Sequence, residues 1–335
     1  MAEQPITKDI KDFRANDFIV GFFYVRTSEI KQTATNSKYM NFTLSDKTGD
    51  INAKLWDGDE ENAKRFAAGI IVKAQGRIVE WQGQMQFKIE RIRRTISDDN
   101  VTVEDFVPSA PITADSMLSY IENIASEMQD IDYRTLVLKL IDVYRDKLLY
   151  FPAAKSNHHA VRGGLLYHVS TMLRAAESLS QIYTGFLNRD LLYAGVILHD
   201  IGKIEEMKTG ASGLVEEYSV AGTLLGHISQ GMMIIGKYAE DLNIDKEKTL
   251  MIQHMILSHH YLPEYGSPKF PQFPEAELLH YLDILDARMY DMKKISESLD
   301  PGTFSERQRS LDNRAIYKPS YESAAAVAPD DERAE

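Results

Sequence analysis

The chain of 335 residues contains no cysteine, which excludes disulfides, thiolate nucleophiles and Cys-based structural zinc sites. No apolar run approaches the roughly 20 residues of a membrane span. The opening Met1-Ala2-Glu3-Gln4-Pro5 lacks the basic and apolar regions of a signal peptide. A cytoplasmic enzyme with no membrane partner is therefore expected. No internal repeat is evident, which argues against a solenoid. Positive charge is scarce: 38 Lys+Arg stand against 50 Asp+Glu, net −12. That is a poor whole-body match to a polyanion, so any nucleic acid must be handled locally. The deficit is uneven, because residues 1–97 carry 16 basic and 13 acidic residues, net +3, which leaves −15 for the remainder. A hydrophobic fraction of 44% and a charged fraction of 26% are those of a globular protein long enough for two domains.

Histidine and aspartate are present in a pattern. His199-Asp200 closes the apolar run Leu191-Leu192-Tyr193-Ala194-Gly195-Val196-Ile197-Leu198, so a nitrogen and an oxygen ligand meet at one point, with Gly202 free to end the helix. For an isolated pair, a buried His beside a solvated Asp would be the better reading. This pair is not isolated: His168 precedes it, and His227, His259-His260 and Asp283 follow on segments that read as helices. Leu165, Val169, Met172 and Leu173 recur at helical period, so His168 lies on or beside the face that looks into a bundle. Ala276, Leu279, His280, Asp283 and Ala287 share a stripe, so the Asp283 carboxylate falls among small and apolar neighbours, where it asks for a cation. Imidazoles with carboxylates suit Mn²⁺ or Fe²⁺, and ligand type does not exclude Zn²⁺, Co²⁺ or Ni²⁺. The set resembles that of the two-metal branch of the HD superfamily, which implies two such cations that would lower the pKa of a bridging water and neutralise charge on a phosphoester, with no protein nucleophile.

Other residues near this set have two readings each. Lys203 adds positive charge toward a phosphate, or is a solvated lysine at a helix C-terminus. Arg162, in the polar cluster His158-His159, Arg162 and Gly163-Gly164, is a phosphate clamp or a surface arginine. His254 lies about 140° around a helix from His259 and so does not share its face; it reads as supporting or core. His280 either orients Asp283 or is an ordinary core histidine.

The N-terminal part reads as β. Phe18 to Ile30, Tyr39 to Leu44, Ile51 to Trp56, Ile70 to Glu80 and Gln84 to Ile92 are strand-like, with a short helix from Glu60 to Ala67 before the last two. Three strands, a helix and two strands is the order of an OB-fold barrel, which often binds single-stranded nucleic acid. Tyr39, Phe42, Trp56, Trp81 and Phe87 are candidates for stacking on bases, and Lys38, Lys54, Arg77, Lys88 and Arg91 for meeting phosphates. The competing reading of each aromatic is barrel core, and small barrels also serve as protein-binding modules. The expected plan is a β-barrel plus an all-helical domain. An OB-fold domain spans 1–97, and a connector with helices from about Ser116 to Met128 and Tyr133 to Leu149 spans 98–150. A metal domain follows at 151–300, then an acidic, weakly ordered tail at 301–335.

The order His168, His199-Asp200, Asp283 resembles the HD superfamily of metal-dependent phosphohydrolases, and His227 with His259-His260 resembles its two-metal branch. The resemblance implies that His168, His199, Asp200 and Asp283 hold one metal, and that Asp200 bridges to a second completed by His227, His259 and His260. With a barrel in front, residues 10–300 resemble the YhaM family of bacterial 3′→5′ exoribonucleases. The most specific stretches are Arg162-Gly163-Gly164-Leu165-Leu166-Tyr167-His168, His199-Asp200-Ile201-Gly202-Lys203 and Ile256-Leu257-Ser258-His259-His260. That resemblance implies Mn²⁺-type metals and single-stranded RNA, with single-stranded DNA alongside, as substrate. A cyclic-dinucleotide phosphodiesterase would use much the same ligands, but its Gly-Tyr-Pro order is missing from Pro263-Glu264-Tyr265-Gly266-Ser267-Pro268. A nucleotide phosphohydrolase would have less use for the barrel. A non-catalytic strand-binding or scaffolding protein would have no need of a full ligand set. A homo-oligomer is compatible with the sequence, which sets no copy number.

Overall fold

Period-two alternation produces a closed barrel. The computed structural model describes residues 5–33, 35–56, 58–155, 159–210 and 212–321; His158 and the end of the tail from 322 lie outside them. Strands β1 (Phe18–Gln32), β2 (Lys38–Asp46) and β3 (Gly49–Trp56) form a meander, helix α1 (Glu60–Arg65) follows, and β4 (Ile71–Trp81) and β5 (Gln84–Arg94) form a hairpin. The order β1-β2-β3-β5-β4 closes on itself, with β3 and β5 parallel and every other pair antiparallel. Met40, Phe42 and Leu44 face inward with Ile51, Ala53, Phe87 and Ile89, all buried.

The connector is packed rather than loose. Phe106 and Val107 are buried against Tyr24 and Ile71 of the barrel wall. Helices α2 (Ala114–Glu127) and α3 (Ile131–Leu148) then start from the caps Thr113 and Asp130, whose side chains accept backbone N–H groups. Their buried residues share one core with α4 (Gly164–Ile182), α5 (Arg189–Leu198), α7 (Val220–Asp241), α8 (Lys246–Ser258) and α9 (Pro274–Glu297). The helices of the expected 98–150 connector thus pack into the same core as the helices that follow residue 151.

Between α5 and α7 lie the short helix α6 (Lys203–Glu206) and a hairpin of β6 (Met207–Thr209) with β7 (Val215–Tyr218), which alternation over three or four residues is too brief to announce. The described part of the tail, 301–321, also departs from expectation. It folds back on α9, with Leu311 fully buried and Asp312 paired with Arg288. Among the described residues no helix is long and apolar enough to cross a membrane.

Candidate metal centre and nucleic-acid face

Five helical elements deliver the candidate ligands to one buried point. His168 comes from the middle of α4, His199 and Asp200 from the end of α5, His259 and His260 from the end of α8, and Asp283 from α9. His227 needs a break: Gly226 (φ 68°, ψ 168°) interrupts α7, a left-handed conformation that favours glycine, so His227 opens the second half of that helix. Glu206 accepts from its backbone N–H at 3.0 Å, as an N-cap would. Gly202 has a different use from the one expected. Its φ is −63°, so it does not end a helix by turning left-handed; an added Cβ would stand 2.0 Å from the His227 carbonyl oxygen, so glycine lets α7 approach.

Asp200, 2% exposed, divides the set by its two oxygens. Oδ2 lies 3.3 Å from His199 Nε2 and 3.8 Å from His168 Nε2, which is itself 3.2 Å from Asp283 Oδ1. Oδ1 lies 3.6 Å from His227 Nε2 and 3.9 Å from His259 Nε2, and His260 groups with these two imidazoles. Donor atoms about 2.1 Å from one cation stand roughly 3.0–3.4 Å apart, close to this spacing. The nitrogens also have the right protonation. Nδ1–H donates to the Val196 carbonyl in His199 (2.9 Å), to Ile256 in His259 (2.7 Å), to Tyr265 in His260 (2.6 Å) and to the Glu206 carboxylate in His227 (3.3 Å). Each Nε2 is left as a lone pair aimed inward. His199, His227 and His259 Nε2 and Asp200 Oδ1 are buried with no hydrogen-bond partner. Buried orphan acceptors converging on one point are costly unless something electropositive sits among them, so these residues fit a divalent cation.

The electrostatics agree. Burial opposes the Asp200 anion, yet Lys203 and His199 beside it hold its carboxyl well below the usual range. Burial drives His259 well down, with help from His260 and His199, and drives His260 down as well, which favours the neutral imidazole that a metal ligand has to be. At His168 burial disfavours the imidazolium, but Asp283 and Asp286 outweigh it and push the pKa up to about 10. That excess of negative charge is what a divalent ion in place of the proton would answer.

Other candidate residues have partners that the sequence did not reveal. Lys203 Nζ sits 2.7 Å from Asp200 Oδ2, so its charge is directed at that carboxylate rather than outward to a phosphate. Arg162 Nε donates to Glu104 of the connector at 2.6 Å, so at least that edge of its guanidinium is engaged within the protein. His254 Nε2 accepts from the Gln272 backbone, away from the centre, and His280 donates to the His259 carbonyl and stacks on Tyr261 rather than orienting Asp283. Sequence reasoning missed Glu206 and Asp286. Only the second had a signal, three residues beyond Asp283 and so on the adjoining part of the same helix face.

On the barrel, register decides. Tyr39 pairs with Trp56 and their rings lie 5.3 Å apart, with Lys54 Nζ 5.2 Å from the Tyr39 ring centre. Lys54 faces Lys88 and Lys88 faces Arg77, so three bases form one row across β3, β5 and β4. Beside them, side-chain hydrogen bonds run from Gln86 to Asn52, Asn52 to Asn41 and Asn41 to Glu29, a ladder the sequence did not suggest. Phe42 must be corrected: it is fully buried in the barrel core, as is Phe87, and cannot stack on a base. Trp81 is 62% exposed, but at the tip of the β4–β5 hairpin, toward the opposite end from Trp56.

Comparison with known proteins gives the same two-part division. The family description "HD domain" matches residues 165–288, and "OB-fold nucleic acid binding domain" matches 25–94. Three curated relatives carry the name 3'-5' exoribonuclease YhaM. That of Bacillus licheniformis is 42% identical over 303 residues, 90% of this chain and 95% of the relative. That of Halalkalibacterium halodurans is 41% identical over 318 residues (94% and 98%), and that of Bacillus subtilis 41% over 295 residues (88% and 93%).

Proposed function

The chain belongs to the YhaM family of 3′→5′ exoribonucleases, and on that premise we propose that it shortens single-stranded RNA from its 3′ end, with single-stranded DNA as a further substrate. The observation that carries the reading is Asp200, a buried carboxylate with a different set of imidazoles facing each oxygen. His168, His199, Asp200 and Asp283 would hold one divalent ion, and Asp200, His227, His259 and His260 a second, with Mn²⁺ the best match to the donors and Fe²⁺, Co²⁺, Zn²⁺ and Ni²⁺ compatible. When bound, the ions supply Lewis-acid activation of water and neutralise charge developing on the scissile phosphate.

The protein's own residues do the rest. Lys203 keeps Asp200 ionised and aimed, and the Nδ1 hydrogen bonds keep each imidazole in the tautomer that presents Nε2. On the barrel, Tyr39 and Trp56 offer ring faces to bases, while Lys54, Lys88 and Arg77 follow the backbone charge. Trp81 would serve only a strand long enough to reach the far end of the barrel.

The test is to incubate protein and Mn²⁺ with 5′-labelled and 3′-labelled single-stranded RNA, beside a cyclic dinucleotide and a dNTP. A 5′-labelled strand that shortens stepwise, with immediate release of label from the 3′-labelled strand, is the expected result. Hydrolysis of the cyclic dinucleotide or the dNTP with both strands intact would overturn it.

A further inference from the structure

A buried cluster of titratable groups extends outward from one member of the proposed ligand set, His168, to two residues outside that set, Asp286 and His159. Asp286 Oδ2 receives two hydrogen bonds, one from His168 Nδ1 at 2.7 Å and one from His159 Nε2 at 2.7 Å. Because a carboxylate only accepts, both imidazoles must donate at those atoms, which leaves Nε2 of His168 as the nitrogen that faces Asp283 and Asp200. Helix α9 thus holds one imidazole at both ends, Asp283 on the inner side and Asp286 on the outer. All three members are buried, with His159 1%, His168 0% and Asp286 8% exposed. The Tyr290 ring lies 4.0 Å from the His159 ring and the Tyr167 ring meets it edge-on at 5.2 Å, so the His159 side chain is clamped.

His159 holds this place in a left-handed conformation (φ 53°), uncommon for a residue with a Cβ and sustained only where its surroundings insist on it. Its carbonyl is tied down by the Ala153 N–H at 3.1 Å. A buried carboxylate and a strained, buried imidazole are an expensive way to fill space that apolar side chains would fill better. The three residues group closely enough for an ion of their own. Both hydrogen-bonding contacts are 2.7 Å, however, shorter than the roughly 3 Å between ligands around one cation, so the cluster is closed by protons.

We propose that His159 and Asp286 are positioning residues that fix His168 as a ligand: His159 holds Asp286, and Asp286 holds the His168 ring and makes its Nε2 a stronger donor to the ion on the Asp283 side. The inference rests on the metal reading above. Outer partners of this kind are worth about 10–100-fold in metal affinity.

The test measures Mn²⁺ binding by calorimetry on the full chain, without RNA. Asp286→Asn is expected to weaken one of two binding events by roughly 10–100-fold and to leave the other within about twofold. His159→Gln retains an N–H donor, and His159→Phe retains the ring without one. Near wild-type affinity for the first and a several-fold loss for the second, with equal melting temperatures of the metal-free proteins, would separate donation from packing. If Asp286→Asn does not fold, the His159 pair carries the test. Unchanged affinity in His159→Phe, or equal losses in Gln and Phe, overturns the relay while leaving the metal centre standing. Wild-type protein that binds no Mn²⁺ overturns both.

Discussion

Removing the Asp200 carboxylate should have two separable effects. The carboxylate is 2% exposed and pairs at 2.7 Å with Lys203, whose side chain is 12% exposed. Asp200→Ala leaves that ammonium buried without its partner, and breaking such a pair costs about 3–5 kcal/mol. The partial exposure of Lys203 argues for the lower end, about 3 kcal/mol, or roughly 6–12 °C in the melting of the helical domain. Replacing both members, in Asp200→Ala with Lys203→Met, removes the stranded charge and should restore most of that stability. Activity should not return, because the one group facing both sets of imidazoles is gone. A loss of about 5 kcal/mol of transition-state stabilisation corresponds to roughly 10⁴-fold in rate. The assay is shortening of a 5′-labelled RNA in saturating Mn²⁺, run beside scanning fluorimetry. Turnover within tenfold of wild type in either variant would refute the assignment of Asp200 as the bridging group, and a double variant no more stable than the single would refute the account of Lys203.

Tyr39→Ala with Trp56→Ala should weaken binding of long single strands by about 1–3 kcal/mol for each base deprived of its stacking partner, read by fluorescence anisotropy, while a dinucleotide is cut at nearly the wild-type rate; equal affinity would point to a protein-binding barrel. Phe42→Ala should instead destabilise the barrel by about 3–5 kcal/mol, read as a lower denaturant midpoint. His254→Ala, remote from the centre, should keep activity within a few-fold, and a loss as large as that of Asp200→Ala would mean the ligands are misassigned. Chelation should abolish hydrolysis and lower the melting temperature, since an ion held at about 100 times its Kd adds roughly 2.7 kcal/mol; a melt that does not respond to chelator would count against a structural metal.

The barrel was legible because alternation and turn residues are local: the strand order, the helix before β4 and the β4–β5 hairpin all follow from short windows of sequence. Parity within a strand would also have sorted Phe42 correctly, since Met40, Phe42 and Leu44 share its inner face while Tyr39 and Asn41 share the outer. The candidate ligands were legible because imidazoles and carboxylates among apolar residues are unusual. Their supports were not: Glu206 reaches His227 and Asp286 reaches His168 and His159 only through the packing of helices distant in sequence. Lys203 and Arg162 show the same limit, because a cation's partner is set by its neighbours in space.

The hydrogen bonds from His199 to Val196 and from His259 to Ile256 tie two functions to one proton. Each histidine stands at the end of a helix, and each carbonyl belongs to a last turn that has no further backbone N–H of its own helix to satisfy it. The imidazole closes the helix with one nitrogen and faces the centre with the other. A carboxylate in either place would bring no proton to that carbonyl, so exchange at 199 or 259 would fray the helix as well as alter the donor set. His227 and Asp283 carry no such second duty. If metal preference in this lineage is to be retuned, by selection or by design, it should be retuned there, with 199 and 259 remaining histidine.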